Sequence, residues 1–541
     1  MIKRLLSILT VSALLISCGG TEPMVEKPAP SIFEFYNTIT SEGLKADLSV
    51  LAHDSLEGRE TGKPGLDKAA RYLAGRYKVM GLKPVGDNGS YFQEFDLDQT
   101  VFESVTYNVY DDNEYLIDGS THSAEEIANF TTLIGGEQSL KGEAVFVGYG
   151  LQNEEVNQFT DDVAGKWLVL LYERGYSDFG ALRSYIGEGK AVGAILIMGT
   201  DVESFTQQAE RMQGEFNEGG GLSLSYLNEG NEEFSSAINR INPELAAKVL
   251  GFDTVEELDG MAEELKAAPS EFEAYDLPFV FEHSPKVEQR IVKSKNIVAF
   301  MEGSDPELKN EVVVLSSHYD HVGIGAPDST GDTIYNGADD DGSGTVGVLH
   351  AAQAFSAAKA AGAGPKRSVL FLNVSGEEKG LLGSRYYSDH PIFEVENTVA
   401  NLNVDMIGRR DFEHPDNPDY VYIIGGEIIS SGLNEMLNQA NEESVNIELS
   451  DRYNDLEDPN QFYRRSDHWN FGRLGIPFVF FFNGVHEDYH KASDEIEKID
   501  FGALTKRTQL LFATTAMVAN AAERPEVDNQ VFIEKTQQQP R

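Results

Sequence analysis

From Ser294 onward the chain alternates short apolar runs with longer stretches whose apolar residues recur at helical spacing. The runs Asn296 to Phe300, Glu311 to Leu315, Ser368 to Asn373, Val399 to Val404, Tyr420 to Ile424 and Phe478 to Phe482 are short and bounded by turn residues, which predicts strands. Thr345 to Lys359, Ser430 to Asn441 and Leu504 to Ala522 lie between and after them and predict helices. This order predicts an α/β fold, a mixed and largely parallel sheet flanked by helices on both faces. Ligands of such sheets gather beyond the carboxyl ends of the strands.

Upstream the texture differs. Leu44, Leu48 and Leu51, then Ala69, Ala70, Leu73 and Tyr77, keep helical spacing on either side of a polar turn from Glu57 to Gly62. From about Ala124 to Glu288 come short β-rich runs, many glycines and acidic stretches, which read as a smaller separate insert. The expected division is residues 35–123 as the N-terminal part of the main domain, 124–290 as the insert, 291–525 as the principal α/β domain and 526–541 as a disordered tail.

The first residues carry a different message. Lys3 and Arg4 precede the apolar run Leu5 to Ile16, long enough for a signal-peptide core and too short to span a bilayer. The run ends in Leu15-Ile16-Ser17-Cys18, which resembles the lipobox of bacterial lipoproteins. That resemblance implies a signal peptide over 1–17, lipidation of Cys18, a tether over 18–34, and a place in the bacterial cell envelope, anchored to the outer membrane.

Charge and cysteine content narrow the chemistry. The 541 residues hold 43 Lys and Arg against 89 Asp and Glu, a formal net charge of −46. Such a surface repels phosphate backbones, so no nucleic acid partner is expected. A single Cys provides neither an intramolecular disulfide nor a thiolate metal site, so a bound metal must be held by His and carboxylates.

Five segments at or beside strand ends supply such groups. Ser316-Ser317-His318-Tyr319-Asp320-His321 follows one predicted strand, and Asn336-Gly337-Ala338-Asp339-Asp340-Asp341-Gly342-Ser343-Gly344 leads into a helix. Ser375-Gly376-Glu377-Glu378, Asp405 and a loop ending in His490 follow three others. Imidazole and carboxylate without thiolate suit a hard or borderline divalent cation, zinc first, and a shared carboxylate can hold two such ions about 3.5–4 Å apart.

These segments resemble the co-catalytic di-zinc exopeptidases of the bacterial leucyl aminopeptidase type, a family with glutamate carboxypeptidase-like members. The resemblance runs from about Leu44 through Ala522. It rests on Leu56 to Arg59, His318-Tyr319-Asp320, Gly337 to Gly344, Gly376 to Gly383, Asn403 to Met406, Ser466-Asp467-His468 and Asp488-Tyr489-His490. In the insert, Val147 to Gly150 and Val163 to Leu170 resemble a protease-associated domain. The resemblance implies two Zn²⁺ per chain, bridged by Asp339, with His318 and Asp405 completing one site and Glu378 and His490 the other. It further implies that Asp320 fixes the His318 tautomer and that Glu377 is the general base. Peptides are the implied substrates, cleaved from the amino end. Carboxypeptidase or dipeptidase action, cyclisation of N-terminal glutamine, and a receptor-like protein without catalysis are the alternatives.

Asp467 and His468 are expected near the cleft or behind it. Arg59, His321 and Tyr463 are weaker candidates, and His350 reads as a core residue. His486-Glu487-Asp488-Tyr489-His490 spells HExxH, but Asn483-Gly484 and Ser493-Asp494 leave no room for the helix that motif requires. Gly342 to Gly347 spells GxGxxG after three aspartates, whose charge opposes a pyrophosphate.

Overall fold

A computed structural model describes residues 30–537 except 154, 160–162, 215, 218, 219 and 229–235. The signal peptide, Cys18 and all but the last residues of the tether lie outside the described residues. Among the described residues, no helix is long and apolar enough to cross a membrane.

The expected sheet is present. Strands Phe478–Phe482, Thr398–Val404, Val312–His318 and Ser368–Val374 run parallel in that spatial order. Tyr420–Gly425 closes one side antiparallel, and Tyr275–Met301 pairs antiparallel with Ser368–Val374 on the other. Each of the four parallel strands is buried along its whole length, as strands covered by helices on both faces must be. Period-two alternation sorts their side chains. Val313 and Leu315 pack with Leu44, Leu73, Phe355 and Leu511 on one face, and Val312 and Val314 with Leu370, Phe471 and Ile476 on the other.

The helices stop and start where local chemistry dictates. Phe501–Asn520 is capped by Asp500, whose side chain accepts from the amides of Gly502 and Ala503. Gly344–Ala360 is Ala-rich and buried over most of its circumference, which places it inside the layer between sheet and solvent. Ser41–Leu51 and Pro64–Val79 are separate helices, split by Glu57, Gly58 and Arg59 at positive φ.

Two long strands join this domain to the insert. Phe92–Asp111 pairs antiparallel with Tyr275–Met301 from Phe92↔Ile297 to Asp111↔Phe279. One end of the ribbon belongs to the main sheet. The other supplies Val105, Tyr107, Val109 and Phe281 to a second core with Phe130, Phe146, Trp167 and Ile195. The core of the insert therefore draws on residues upstream of 124. Its strands Leu140–Phe146, Trp167–Leu171, Gly193–Ile197 and Ala237–Ile241 run parallel in that order and continue the sheet, Leu140–Phe146 pairing antiparallel with Tyr275–Met301.

The expected tail is ordered in part. Gln530–Gln537 is helical, because Phe532 is buried against Phe478 and Lys535 donates to the carbonyl of Leu456. The tether also ends sooner than expected, since Ile32–Thr38 forms a 3₁₀ helix capped by Ser31.

Two buried imidazoles give the fold an acid sensitivity. Burial pushes His283 down to about 4 and His468 to about 3, each bonded through Nε2 to a carbonyl oxygen, of Gly136 and Phe462. Both stay neutral in the folded chain while the unfolded chain protonates them near its ordinary value of about 6.5. The unfolded state thus binds more protons, and stability falls as pH drops from about 6.5 towards 4. Denaturant titrations across this window should show a flatter slope for His468→Gln than for the wild type; identical slopes would remove His468 from the account.

Candidate metal centre

The cluster forms because four parallel strands end together. His318 closes Val312–His318, in register with Val374, and Ser375-Gly376-Glu377-Glu378 continues from that neighbour. Asp405 follows Thr398–Val404 on the other side. The loop after Phe478–Phe482 brings His490, whose backbone is held at φ 54°.

Arg59 ties the loop that completes the site. Its buried guanidinium donates to the carbonyls of Tyr319 (2.9 Å), Leu51 (2.7 Å), Asn336 (2.6 Å) and Gly337 (3.0 Å). Arg59 is therefore a structural clasp between the strand end at His318 and the aspartate loop. Arg59→Met takes this buried donor from all four carbonyls, of which Gly337 keeps the Gly342 amide, and is expected to lower stability by at least about 3 kcal/mol. A melting temperature within 2–3 °C of wild type, roughly the effect of 1 kcal/mol in a large domain, would contradict this. Gly337 is required there too, since it sits at φ 53° and a Cβ would meet the His321 ring at 2.5 Å.

Seven side chains meet beyond the strand ends. The Asp340 carboxylate directs Oδ1 towards His318 Nε2 (3.3 Å) and Oδ2 towards His490 Nε2 (3.1 Å). Asp405 Oδ1 is 3.5 Å and Glu377 Oε2 3.9 Å from His318 Nε2. Glu378 Oε2 is 3.1 Å from His490 Nε2, and its Oε1 is 2.9 Å from His321 Nδ1. Among the described residues, His318, Glu377 and Asp405 bring ligand atoms within 4.8 Å of one another, as do His321, Asp340 and Glu378.

The expected residues His318, Glu377, Glu378, Asp405 and His490 are thus together. Asp339 is not with them. It lies one layer back, accepting from the Gly408 amide (2.6 Å) and the Ser343 hydroxyl (2.9 Å), with Oδ2 3.1 Å from His486 Nε2. Asp341 is also committed, accepting from the amides of His318, Met406 and Gly344. Asp340 is the member of the triplet left to face both imidazoles.

Asp320 is beside His318, but the nearer acceptor for Nδ1 is its backbone carbonyl (3.1 Å), not its carboxylate (3.7 Å). The carboxylate accepts from Thr61 Oγ1 (2.8 Å) and the Glu377 amide (3.3 Å), so it braces the Glu377 turn as well. The HExxH spelling divides between layers, His486 to Asp339 and His490 to Asp340 and Glu378. Asp467 is buried near Glu377 and pushed up to about 7 by burial. His350 is bonded to Asp47 (2.8 Å), as a core residue.

The donor set fits a divalent cation. His318 Nε2 and both ring nitrogens of His321 are buried and make no hydrogen bond of acceptable geometry, although carboxylate oxygens of Asp340 and Glu378 lie at 3.3 and 2.9 Å from His318 Nε2 and His321 Nδ1, an arrangement that an ion between such donors satisfies. The carboxylates also make a field that favours positive charge. Burial works against charged His490, yet the bonds to Asp340 and Glu378 raise it to about 10. Burial pushes the Glu377 carboxyl well above the usual range, opposed by His318 and reinforced by Asp405, Glu378 and Asp467. The cleft outside is lined by Met406, Phe462, Phe480, Phe482, Val485 and Tyr489.

Imidazoles and carboxylates converging at the ends of parallel strands are donors suited to a divalent cation. Residues 296–515, which hold the whole cluster, match the profile of Peptidase family M28. Part of the chain is 31% identical over 251 residues to a probable leucine aminopeptidase 2 from Aspergillus oryzae, covering 41% of this chain and 44% of that protein. It is 27% identical over 245 residues to aminopeptidase Y from Saccharomyces cerevisiae, covering 43% of this chain and 40% of that one. The chain spans about half the length of the curated relatives it matches. An aminopeptidase structure from Aneurinibacillus sp. strain AM-1 shares the fold with a TM-score of 0.54 at 19% identity, covering 91% of this chain and 97% of that one. The α/β unit around the cluster thus matches the M28 peptidase profile, and proteins named as aminopeptidases are similar to part of the chain.

Proposed function

We propose that this protein is a zinc aminopeptidase that removes residues from the free amino end of peptides, and that it holds two ions. His318, Asp340 and Asp405 would hold one, and Asp340, Glu378 and His490 the other. The observation that carries this reading is the placement of Asp340, one carboxylate oxygen towards each of two imidazoles. Nitrogen and oxygen donors without thiolate suit zinc. When bound, the ions supply Lewis acidity that polarises the scissile carbonyl and acidifies the attacking water.

The chain's own groups do the rest. Glu377 sits beside His318 without being needed to complete either ligand set, so it is free to take the water proton and pass it to the leaving amine. Burial pushes the Glu377 carboxyl upward, the direction that suits a group that must both take and give up a proton. The Asp320 side chain holds the Glu377 amide, and its carbonyl orients His318. Met406, Phe462, Phe480 and Phe482 form an apolar wall that can receive the N-terminal side chain.

Leucyl anilide and leucyl peptides should be cleaved and their N-acetyl forms resisted, with activity lost to a chelator and restored by zinc. Efficient cleavage of the blocked peptides would reject the aminopeptidase reading. We also propose a protease-associated insert, and a lipid anchor at Cys18 that holds the enzyme at the outer membrane. Cys18→Ala should move the protein from the membrane to the soluble fraction; unchanged lipid labelling would end that part.

A further inference from the structure

Arg465 lines the same cleft as Asp340, Glu377, Asp405 and His490. It is exposed, and it follows the turn Phe462–Arg464 just ahead of Ser466-Asp467-His468. Among the described residues that line the cleft, it is the only Lys or Arg.

Its setting is unusual for this chain. With 89 acidic residues against 43 basic ones, carboxylates are plentiful, and other arginines find them. Arg409 pairs with Asp488 at 2.9 Å, Arg367 with Glu311 at 2.5 Å, and Arg473 with Asp389 at 2.6 Å. Arg465 instead lies over the Phe462 ring, 5.0 Å from its centroid, and among the described residues no carboxylate comes within ion-pairing distance of it. Ring stacking fixes the plane of a guanidinium and leaves its fork of N–H donors free. Such a fork matches a carboxylate through two parallel hydrogen bonds.

Away from the proposed ions the surroundings repel anions, since the chain carries a net charge of −46. A cation kept unpaired at that edge gives an anionic substrate group an attractive contact apart from the ions. We propose that Arg465 reads a carboxylate on the peptide close to the scissile bond, and so selects among substrates. The carboxylate comes either from the C-terminus of a very short peptide or from an Asp or Glu side chain next to the cleaved residue. The inference rests on the aminopeptidase reading above.

The test uses the whole zinc-loaded enzyme and four substrates: Leu-Gly, Leu-Gly-amide, Leu-Glu-amide and Leu-Gln-amide. The first pair reports a terminal carboxylate, the second a side-chain one. In the wild type, kcat/KM for the carboxylate member of at least one pair should exceed that of its neutral partner by about 10- to 100-fold, the range of a charge-assisted contact. The difference should lie mainly in KM. Arg465→Gln should collapse that ratio towards one, and Arg465→Lys should recover part of it. Equal ratios in wild type and Arg465→Gln would overturn the proposal and leave the aminopeptidase reading intact. A wild type that leaves all four substrates uncut would overturn both.

Discussion

Asp340→Ala should lose both zinc ions and reduce peptide hydrolysis by more than the roughly 10- to 100-fold typical of an outer-shell partner. The reason is that, among the described residues, Asp340 is the one carboxylate that approaches both His318 (3.3 Å) and His490 (3.1 Å). Removing it strips a ligand from each site at once. Asp339→Asn is the informative control, because Asp339 acts a layer back through Gly408, Ser343 and His486. That variant should keep two ions and lose at most about 100-fold. Metal counted per folded chain, with circular dichroism to confirm folding, separates the two. Loss of both ions from Asp339→Asn with retention in Asp340→Ala would reverse the assignment.

The second large effect concerns the base. Glu377→Gln keeps shape and hydrogen bonding but cannot take a proton, so kcat should fall by about 10²–10⁴-fold with both ions retained. Glu378→Gln should instead weaken one ion, because Glu378 faces His490 at 3.1 Å. The adjacent residues diverge since Glu377 turns towards His318 and Asp405, and Glu378 towards His490 and His321. Near-normal turnover by Glu377→Gln, or loss of an ion from it, would assign the roles the other way.

The pattern of strands and helices was readable because each buried parallel strand is a short apolar run with polar residues at its carboxyl end. His318, Glu377, Glu378, Asp405 and His490 stand at or just beyond those ends, so sequence position located them. Asp340 was not separable from Asp339 and Asp341. The three neighbours are chemically identical, and only the turn decides which faces the cleft and which are spent on Gly408, His318 and Met406 amides. His321 had only its place after His318-Tyr319-Asp320 as a signal, too little to show a buried ring against Glu378. The ribbon from Phe92 to Asp111 mixes exposed and buried positions, since it passes from one core to another. Its contribution to the insert is hidden in composition for that reason. Arg465 was passed over because an arginine before Ser-Asp-His looks like any surface charge until the cleft is formed.

The most direct measurement of the central claim is anomalous diffraction at the zinc edge from crystals of the zinc-loaded protein. Two peaks on either side of the Asp340 carboxylate are predicted, one against His318 and Asp405 and the other against Glu378 and His490. A single peak, or a peak between Asp339 and His486, would contradict it.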